Sequence, residues 1–318
     1  MACSSTPVDA SSGSADTASG SADGAASTDA APAANPSPVA EGSKPVALKG
    51  TFSFTEGPTA NADGTIFFTD QPSNRILRVE EDGSITDWLK PSGRANGMCF
   101  APGGELIVCA DENNELWSIA PDGTKTVLAA TFEGKRLNGP NDVWVAPAVA
   151  PVPGALYLTD PFYKRSWWKH SGQPQAKQSV YRLDPGSSEL VPVATDLVQP
   201  NGIIGSPDGK TLYVADIGAN KTWRYTITAD GSLADKTLFC SMGSDGMTLD
   251  AEGNVYLTGR GVTVFSRSGE KIATIGVRAG WTANVSFGGS DRKTLYITAS
   301  ERVFTLQMRV RGAFDVGK

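Results

Sequence analysis

Short apolar runs alternate with polar turns along most of the chain, and the clearest example spans residues 199–216. Asn201 opens one apolar run, a Pro-Asp-Gly turn follows at 207–209, and a second apolar run from Leu212 to Val214 leads to Asp216. Asp-Gly between two apolar runs is a strong hairpin signal, because glycine accepts the positive φ that such turns need. The pattern therefore predicts pairs of short antiparallel strands.

This pattern occurs six times, and each copy begins with a polar residue that we call its anchor. The six anchors are Glu56, Asn96, Asn141, Asn201, Asp245 and Asn284. They are 40, 45, 60, 44 and 39 residues apart. A repeat of about 40–50 residues built from strands and turns is typical of a β-propeller. We therefore predict an all-β fold, a six-bladed β-propeller.

The sixth copy ends early, since only a short tail follows the strand candidates at 303–306 and 308–310. Ahead of the first anchor, Val46–Lys49 reads as a strand without a blade of its own. We expect this N-terminal strand to supply the missing outer strand of the last blade. The exchange would close the ring and remove exposed sheet edges.

The third copy is longer than its neighbours, with extra residues at 146–153 and 161–178. The second insertion is rich in aromatic and basic residues, including Tyr163 and the chain's single histidine, His170. Insertions in repeat arrays map to loops, often on the binding face. The insertion could cover a central site or pack its tryptophans on the blade edge. We expect His170, which lies outside every repeated motif, to be a solvent-exposed loop residue rather than a general base.

Composition divides the chain into two parts. Residues 1–44 are mostly Ala, Ser, Gly, Thr, Pro and Asp, so they are predicted to form a disordered linker ahead of a propeller domain at 45–318. The net charge is −6, and the linker carries most of it. This balance argues against a nucleic-acid partner. No apolar run approaches the ~20 residues that a membrane-spanning helix needs.

Cys3 lies near the head of the linker and has two interpretations. A lipid-modified cysteine followed by an Ala/Ser-rich tether is one way in which bacterial exported proteins are anchored. The alternative is an arbitrary cysteine in a flexible tail. We expect a secreted, periplasmic or envelope-anchored protein of unknown oligomeric state.

The anchors carry the candidate chemistry. Each opens an innermost strand, so all six side chains should converge on the central channel. All six offer oxygen, and none is His or Cys, which suits a hard divalent cation such as Ca²⁺, Mg²⁺ or Mn²⁺. Zn²⁺ stays possible but is less suited. The alternative is a water-filled polar channel in which these side chains satisfy backbone groups at strand starts.

The motifs resemble those of the gluconolactonase/regucalcin family of six-bladed propeller hydrolases, across about residues 45–312. The matching motifs are Glu56-Gly57-Pro58, Arg75-Ile76-Leu77-Arg78, Pro140-Asn141-Asp142, Thr159-Asp160-Pro161, Pro200-Asn201-Gly202 and Asp245-Gly246-Met247. The sequence departs from the regucalcin branch at Gly139, where that branch has an arginine two residues before the Asn-Asp asparagine.

The resemblance implies a set of site residues. It gives Glu56, Asn201 and Asp245 as ligands of the divalent cation, with Asn141 beside them as a ligand or a contact to substrate or bound water. It also gives Asp245 as the candidate base, although a carboxylate that binds a cation is a weak base. Asp245 could instead only orient a metal-bound hydroxide. We expect four side chains to contact the substrate: Asn96, Asn141, Asn284 and Tyr163.

The implied function is metal-assisted hydrolysis of a small-molecule lactone. Two alternatives stay open: a metal-dependent phosphotriesterase-like hydrolase, and a non-catalytic ligand-binding propeller with a structural Ca²⁺. Four aspartates recur at the ends of second strands and are predicted to accept backbone N–H bonds rather than to act in catalysis. They are Asp70, Asp111, Asp160 and Asp216.

Overall fold

The computed structural model describes residues 36–317, and within that range every regular element is a β-strand. The predicted linker residues 1–35, among them Cys3, lie outside the described residues. No helix in the described part of the chain is long and apolar enough to span a bilayer.

The strands form six four-stranded antiparallel sheets, one for each sequence repeat. Strand β1 (Val46–Ala47) precedes the first blade, which contains β2 (Thr55–Ala60), β3 (Ile66–Asp70), β4 (Arg75–Val79) and β5 (Ile85–Leu89). The second blade contains β6 (Ala95–Phe100), β7 (Leu106–Ala110), β8 (Glu115–Ile119) and β9 (Lys125–Ala129). A short hairpin follows, formed by β10 (Thr131–Phe132) and β11 (Lys135–Arg136).

The remaining blades continue the same order. The third contains β12 (Val143–Val145), β13 (Leu156–Asp160), β14 (Ser179–Leu183) and β15 (Leu190–Ala194). The fourth contains β16 (Pro200–Gly205), β17 (Thr211–Asp216), β18 (Lys221–Ile227) and β19 (Leu233–Cys240). The fifth contains β20 (Met247–Leu249), β21 (Val255–Gly259), β22 (Gly261–Phe265) and β23 (Lys271–Ile275). The sixth contains β24 (Asn284–Gly288), β25 (Thr294–Ala299) and β26 (Arg302–Gln307).

The N-terminal strand closes the sixth blade, which confirms the predicted six-bladed propeller and its closing strand. Val46 pairs with Thr305 and Ala47 with Phe304, so the sheet order is β1-β26-β25-β24. The segment before β1 follows the same edge, since Ala40 N donates to Gln307 O at 3.3 Å. Residues 36–44, which composition assigns to the linker, therefore include a part that hydrogen-bonds to the propeller.

Burial falls from the inner to the outer strands of a blade. All six residues of β2 and of β6 are buried, whereas most residues of the outermost strands β5 and β9 are half-buried or exposed. Inner strands contact neighbouring blades on both faces, and their side chains form the hydrophobic core between sheets. The second strands are buried in the same way, which explains why strands such as β7 (LIVCA) read as apolar runs.

The C-terminal residues cross the end of the ring that lies opposite the anchors. Ala313 N donates to Leu249 O at 3.1 Å, and Gly317 N donates to Ala60 O at 2.9 Å. The tail therefore joins the ends of the innermost strands of blades five and one. Residues 308–310 do not form the predicted strand, because Met308 makes only an isolated bridge to Val39.

Candidate active site

Backbone irregularities shape the start of the inner strands. One extra residue enters the strand pairing between Glu56 and Thr59, between Ala95 and Met98, and between Pro200 and Ile203. Such β-bulges bend a strand and redirect its side chains, and they are common beside active sites. Three anchors, Glu56, Asn96 and Asn201, lie at these bulges.

The glycine after an anchor allows neighbouring inner strands to approach closely. A Cβ on Gly57 would lie 2.1 Å from the carbonyl oxygen of Asn96, and one on Gly97 would lie 2.5 Å from that of Asn141. Gly97 N also donates to Asn141 O at 2.7 Å. The recurring Asn-Gly motif therefore has a packing role, which is to bring the anchors together around the axis.

A cavity of about 240 Å³ lies at the anchor end of the ring. Its lining comes from all six blades and the segments before them: Phe54, Glu56, Gln71, Asn96, Asn141, Tyr163, Arg165, Ile217, Asp245 and Trp281. A second cavity of about 280 Å³ is lined by residues such as Phe67, Trp88 and Phe100, and no charged side chain lines it. Only the first of these two cavities has groups that can exchange protons or hold a cation.

Asp245 is held at both carboxylate oxygens. Asn201 Nδ2 donates to Oδ1 at 2.8 Å, and the indole Nε1 of Trp281 donates to Oδ2 at 2.6 Å. Desolvation raises the pKa of Asp245 to about 6, against the opposing effects of these two bonds and of the Arg165 charge. Burial therefore makes this carboxylate a stronger proton acceptor than an exposed aspartate, which suits a general base.

Tyr163 comes from the long insertion in blade three. Its hydroxyl accepts a hydrogen bond from Asn201 Nδ2 at 2.8 Å, and among the described residues none accepts the hydroxyl's own proton. Desolvation raises the pKa of Tyr163, so the phenol stays neutral. Tyr163 can therefore donate a hydrogen bond to a molecule in the cavity.

Asn201 joins these two side chains and has one unused atom. Both bonds come from its Nδ2, while its Oδ1 is buried without a hydrogen-bond partner in the described part of the chain. A buried amide oxygen without a donor is unfavourable unless a proton donor, water or cation satisfies it.

The other anchors differ in their access to the cavity. Glu56, Asn96 and Asn141 line it, and each is at most 6% exposed. Asn284 lies apart from the lining, because its Oδ1 accepts from Val285 N at 2.8 Å and its side chain packs against Gly246. The substrate contact predicted for Asn284 therefore has no support from the cavity lining.

A cation bound here would be held by a mixture of carboxylate and amide oxygens rather than by a cluster of charged side chains. Residues 36–317 contain no group of three or more His, Cys, Asp or Glu side chains arranged to hold a metal ion. The cavity lining combines two carboxylates, Glu56 and Asp245, with the amide of Asn141, while Asn201 lies outside the lining and bonds to Asp245 through Nδ2. This all-oxygen set corresponds to the hard-cation chemistry that the anchors predict.

The insertion at 161–178 forms one wall of the cavity and also packs on the blade edge. Tyr163 and Arg165 line the cavity, while Trp168 is 9% exposed. His170 stacks on Trp168 at 4.8 Å and is outside the lining. His170 is partly buried rather than solvent-exposed, because this stacking covers one face of its ring.

Sequence reasoning missed three polar residues that line this cavity, Gln71, Arg165 and Trp281. Arg165 had a signal, since it lies in the basic and aromatic insertion, but Trp281 precedes blade six in no repeated motif.

Three of the four recurring aspartates accept backbone N–H bonds as predicted. Asp70 Oδ1 accepts from Ser53 and Phe54, Asp160 from Asn138 and Gly139, and Asp216 from Val198 and Gln199. Asp111 is the exception, since its carboxylate accepts from Arg165 Nε at 2.9 Å and from Gln71 Nε2 at 3.2 Å. The prediction is wrong for Asp111, because the insertion and Gln71 bring side-chain donors to it.

Gly139 lies between two of these aspartates. It has φ of +150°, its N–H donates to Asp160, and a Cβ there would lie 2.9 Å from the Trp168 ring and 3.0 Å from Asp111 Oδ1. The insertion therefore fills the space that a side chain at this position would need.

Comparisons with known proteins find gluconolactonases and a lactonohydrolase among the relatives. A family described as "SMP-30/Gluconolactonase/LRE-like region" matches residues 54–301. A gluconolactonase of Zymomonas mobilis is 27% identical, and the match covers 85% of this chain and 83% of that protein. A solved gluconolactonase structure from Xanthomonas campestris is 29% identical, has a TM-score of 0.77, and is covered over 91% of its length by 85% of this chain. A lactonohydrolase of Aspergillus oryzae is 27% identical, and the match covers 63% of this chain but only 51% of that protein.

Proposed function

The chain belongs to the SMP-30/gluconolactonase/LRE-like family, and from this premise we propose that it is a lactonase that hydrolyses its substrate in the cavity at the anchor end of the ring. The relatives named gluconolactonase and lactonohydrolase support the reaction class. The observation that carries the proposal is the position of Asp245, a buried carboxylate fixed at both oxygens beside a neutral phenol in a polar cavity.

Asp245 is the proposed general base. A water molecule attacks the lactone carbonyl carbon, and Asp245 accepts the proton that the water loses. Asn201 and Trp281 hold the carboxylate in one orientation, so little reorganisation is needed at the moment of attack. The ring C–O bond then breaks, and the proton on Asp245 is available to the departing ring oxygen, which gives a hydroxy acid.

Tyr163 is the proposed donor to the carbonyl oxygen. Negative charge develops on that oxygen during attack, and a positioned hydrogen-bond donor in a water-poor cavity stabilises it. Asn201 fixes the Tyr163 hydroxyl by donating to it, which leaves the phenolic proton for the substrate. Asn96 and Asn141 line the same cavity and are proposed to bind substrate hydroxyls or ring oxygens.

The site also fits a divalent cation. The unpartnered Asn201 Oδ1 is a buried acceptor beside Asp245, and Glu56 lines the same cavity. We propose that Glu56, Asn201 and Asp245 hold the ion, with Asn141 as a fourth oxygen ligand or a substrate contact, and that Ca²⁺ suits this set best. Because a carboxylate that binds a cation is a weaker base, Asp245 would bind the ion through one oxygen only and accept the proton at the other. When bound, such an ion supplies a Lewis acid that polarises the lactone carbonyl.

The test is a lactone-hydrolysis assay on glucono-1,4-lactone, with the melting temperature measured in parallel. We expect hydrolysis that a chelator abolishes and that added Ca²⁺, Mg²⁺ or Mn²⁺ restores. Turnover that is insensitive to chelation would contradict the cation but not the lactonase. A protein that hydrolyses paraoxon but no lactone would be a phosphotriesterase instead. If neither compound is consumed and chelation only lowers the melting temperature, the chain is a binding protein with a structural ion.

A further inference from the structure

Asp111 accepts hydrogen bonds from side chains, one of which lines the cavity, whereas the aspartates at the same position of other blades accept them from backbone N–H groups. Its side chain is 2% exposed, and its Oδ2 accepts from both Arg165 Nε and Gln71 Nε2. Asp70, Asp160 and Asp216 accept two backbone N–H bonds each from the chain entering their blade. In the second blade, an ion pair with Arg165 therefore takes the place of the two backbone hydrogen bonds.

Residues on both sides of Arg165 are also held by hydrogen bonds. Trp168 Nε1 donates to the carbonyl oxygen of Asp111 at 2.6 Å, and its ring is buried. Within the insertion, Phe162 N donates to Gln178 Oε1 at 2.7 Å. Arg165 is thus held through its own Nε and through residues on both sides of it, which lowers the entropy that it loses on binding a ligand.

The rest of the guanidinium is available to the cavity. The Nε atom is occupied by Asp111, while no acceptor within residues 36–317 bonds to either Nη atom. Arg165 is the one cationic side chain among the ten that line the cavity, where Glu56 and Asp245 are the acids. The Arg165 side chain is 22% exposed, so it is partly desolvated. A fixed, partly desolvated guanidinium with two free amino groups is suited to bidentate recognition of an anion.

We propose that Arg165 determines substrate specificity by binding an anionic substituent, such as a carboxylate, on the lactone, and that Asp111 is the positioning residue that holds it. The inference rests on the proposed lactonase function and names the substrate class of that site. A purely structural ion pair would be a weak source of stability here, because burying both charges costs about as much as their attraction returns.

The test uses two substrates that differ in one group. D-Glucono-1,4-lactone has a CH₂OH where D-glucaro-1,4-lactone has a carboxylate. We expect the wild type to have the lower KM for the glucaro-lactone. Arg165→Gln should raise that KM about 10- to 100-fold, because it removes charge-assisted hydrogen bonds. The same variant should change the KM for the neutral lactone much less, and comparing the two lactones within one variant cancels any effect on Asp245 of losing the Arg165 charge.

Further variants separate positioning from folding. Arg165→Lys should recover part of the preference, since it keeps the charge but loses the planar fork. Asp111→Asn should raise KM for the anionic lactone selectively, with little change in kcat. Arg94→Gln is the matched control, because Arg94 contacts the insertion through the Trp167 ring at 4.6 Å but does not line the cavity. The control should leave the ratio of the two KM values unchanged.

Two outcomes would overturn the inference. One is an equal effect of Arg165→Gln on both lactones, and the other is a wild type without preference for the anionic lactone. If the wild type hydrolyses neither lactone, the lactonase proposal fails, and calorimetry with the ring-opened products still tests Arg165. The wild type should then bind glucarate more tightly than gluconate, and Arg165→Gln should remove that difference. Equal affinities in the wild type would contradict the inference.

Discussion

Asp111 and Asp160 lie at the ends of the second strands of neighbouring blades, and both are buried, yet they bind different groups. Asp160 accepts from Asn138 N at 2.9 Å and from Gly139 N at 2.8 Å. Asp111 accepts instead from the side chains of Arg165 and Gln71. The same repeated residue can therefore bind the backbone of its blade in one copy and position a side chain of the cavity in another.

The largest expected effect is the difference in stability lost when each of the two aspartates is replaced by alanine. Asp160→Ala leaves two buried backbone N–H groups without acceptors, so we expect the free energy of unfolding to fall by about 2–6 kcal/mol. Asp111→Ala leaves no backbone donor unpaired and should cost less. Urea unfolding of both variants measures the difference. Equal losses would mean that the Arg165 pair is as important to folding as the backbone bonds.

A second test concerns pH. Desolvation raises the pKa of Asp111 to about 6, against the opposing charge of Arg165. Because the folded pKa lies above the unfolded value, protonated Asp111 favours the folded state at pH below about 4, and this contribution is lost as pH rises through about 6. The free energy of unfolding of the wild type, relative to Asp111→Asn, should therefore fall by about 1–3 kcal/mol over that range. A flat difference between pH 4 and 7 would contradict the raised pKa.

The smallest expected effect lies at the residue between the two aspartates. Gly139→Ala places a Cβ against the Trp168 ring and Asp111 Oδ1 at a positive φ. We expect a loss of about 1–2 kcal/mol in the free energy of unfolding and a weaker preference for the anionic lactone. Gly123→Ala is a matched control, since Gly123 also has positive φ but no heavy atom within 4 Å of its added Cβ. A loss at Gly139 no larger than that at Gly123 would show that the contacts with Trp168 and Asp111 do not matter.

The sequence predicted the parts of this molecule that depend on local pattern. Asp-Gly turns and apolar runs set the blades, and the unpaired strand before Glu56 indicated the closure of the ring. Four of the six anchors line one cavity, because each opens an inner strand or lies just ahead of it; they are Glu56, Asn96, Asn141 and Asp245. Within the predicted linker, Pro38 and Ala40 bond to the end of the sixth blade through backbone atoms, a contact that composition does not reveal.

Other features depend on contacts between distant residues. Trp281 reaches Asp245 across 36 residues, and Arg165 reaches Asp111 across 54, so neither contact leaves a local signature. Asp111 occupies the same position in its repeat as the other three aspartates, so nothing in the sequence indicated that it binds different groups. Tyr163 was a predicted substrate contact, but its bond to Asn201 depends on how the insertion folds onto the ring.

The central claim, that Asp245 is the base of a lactonase, is tested most directly by kcat/KM for glucono-1,4-lactone in the wild type and Asp245→Asn. Asparagine keeps the shape of the side chain and removes its capacity to accept the proton. We predict a fall of about 10²- to 10⁴-fold in a variant that stays folded by circular dichroism, although its amide keeps only one of the two hydrogen bonds that the carboxylate accepts. An Asp245→Asn variant that retains the wild-type kcat/KM would contradict the account.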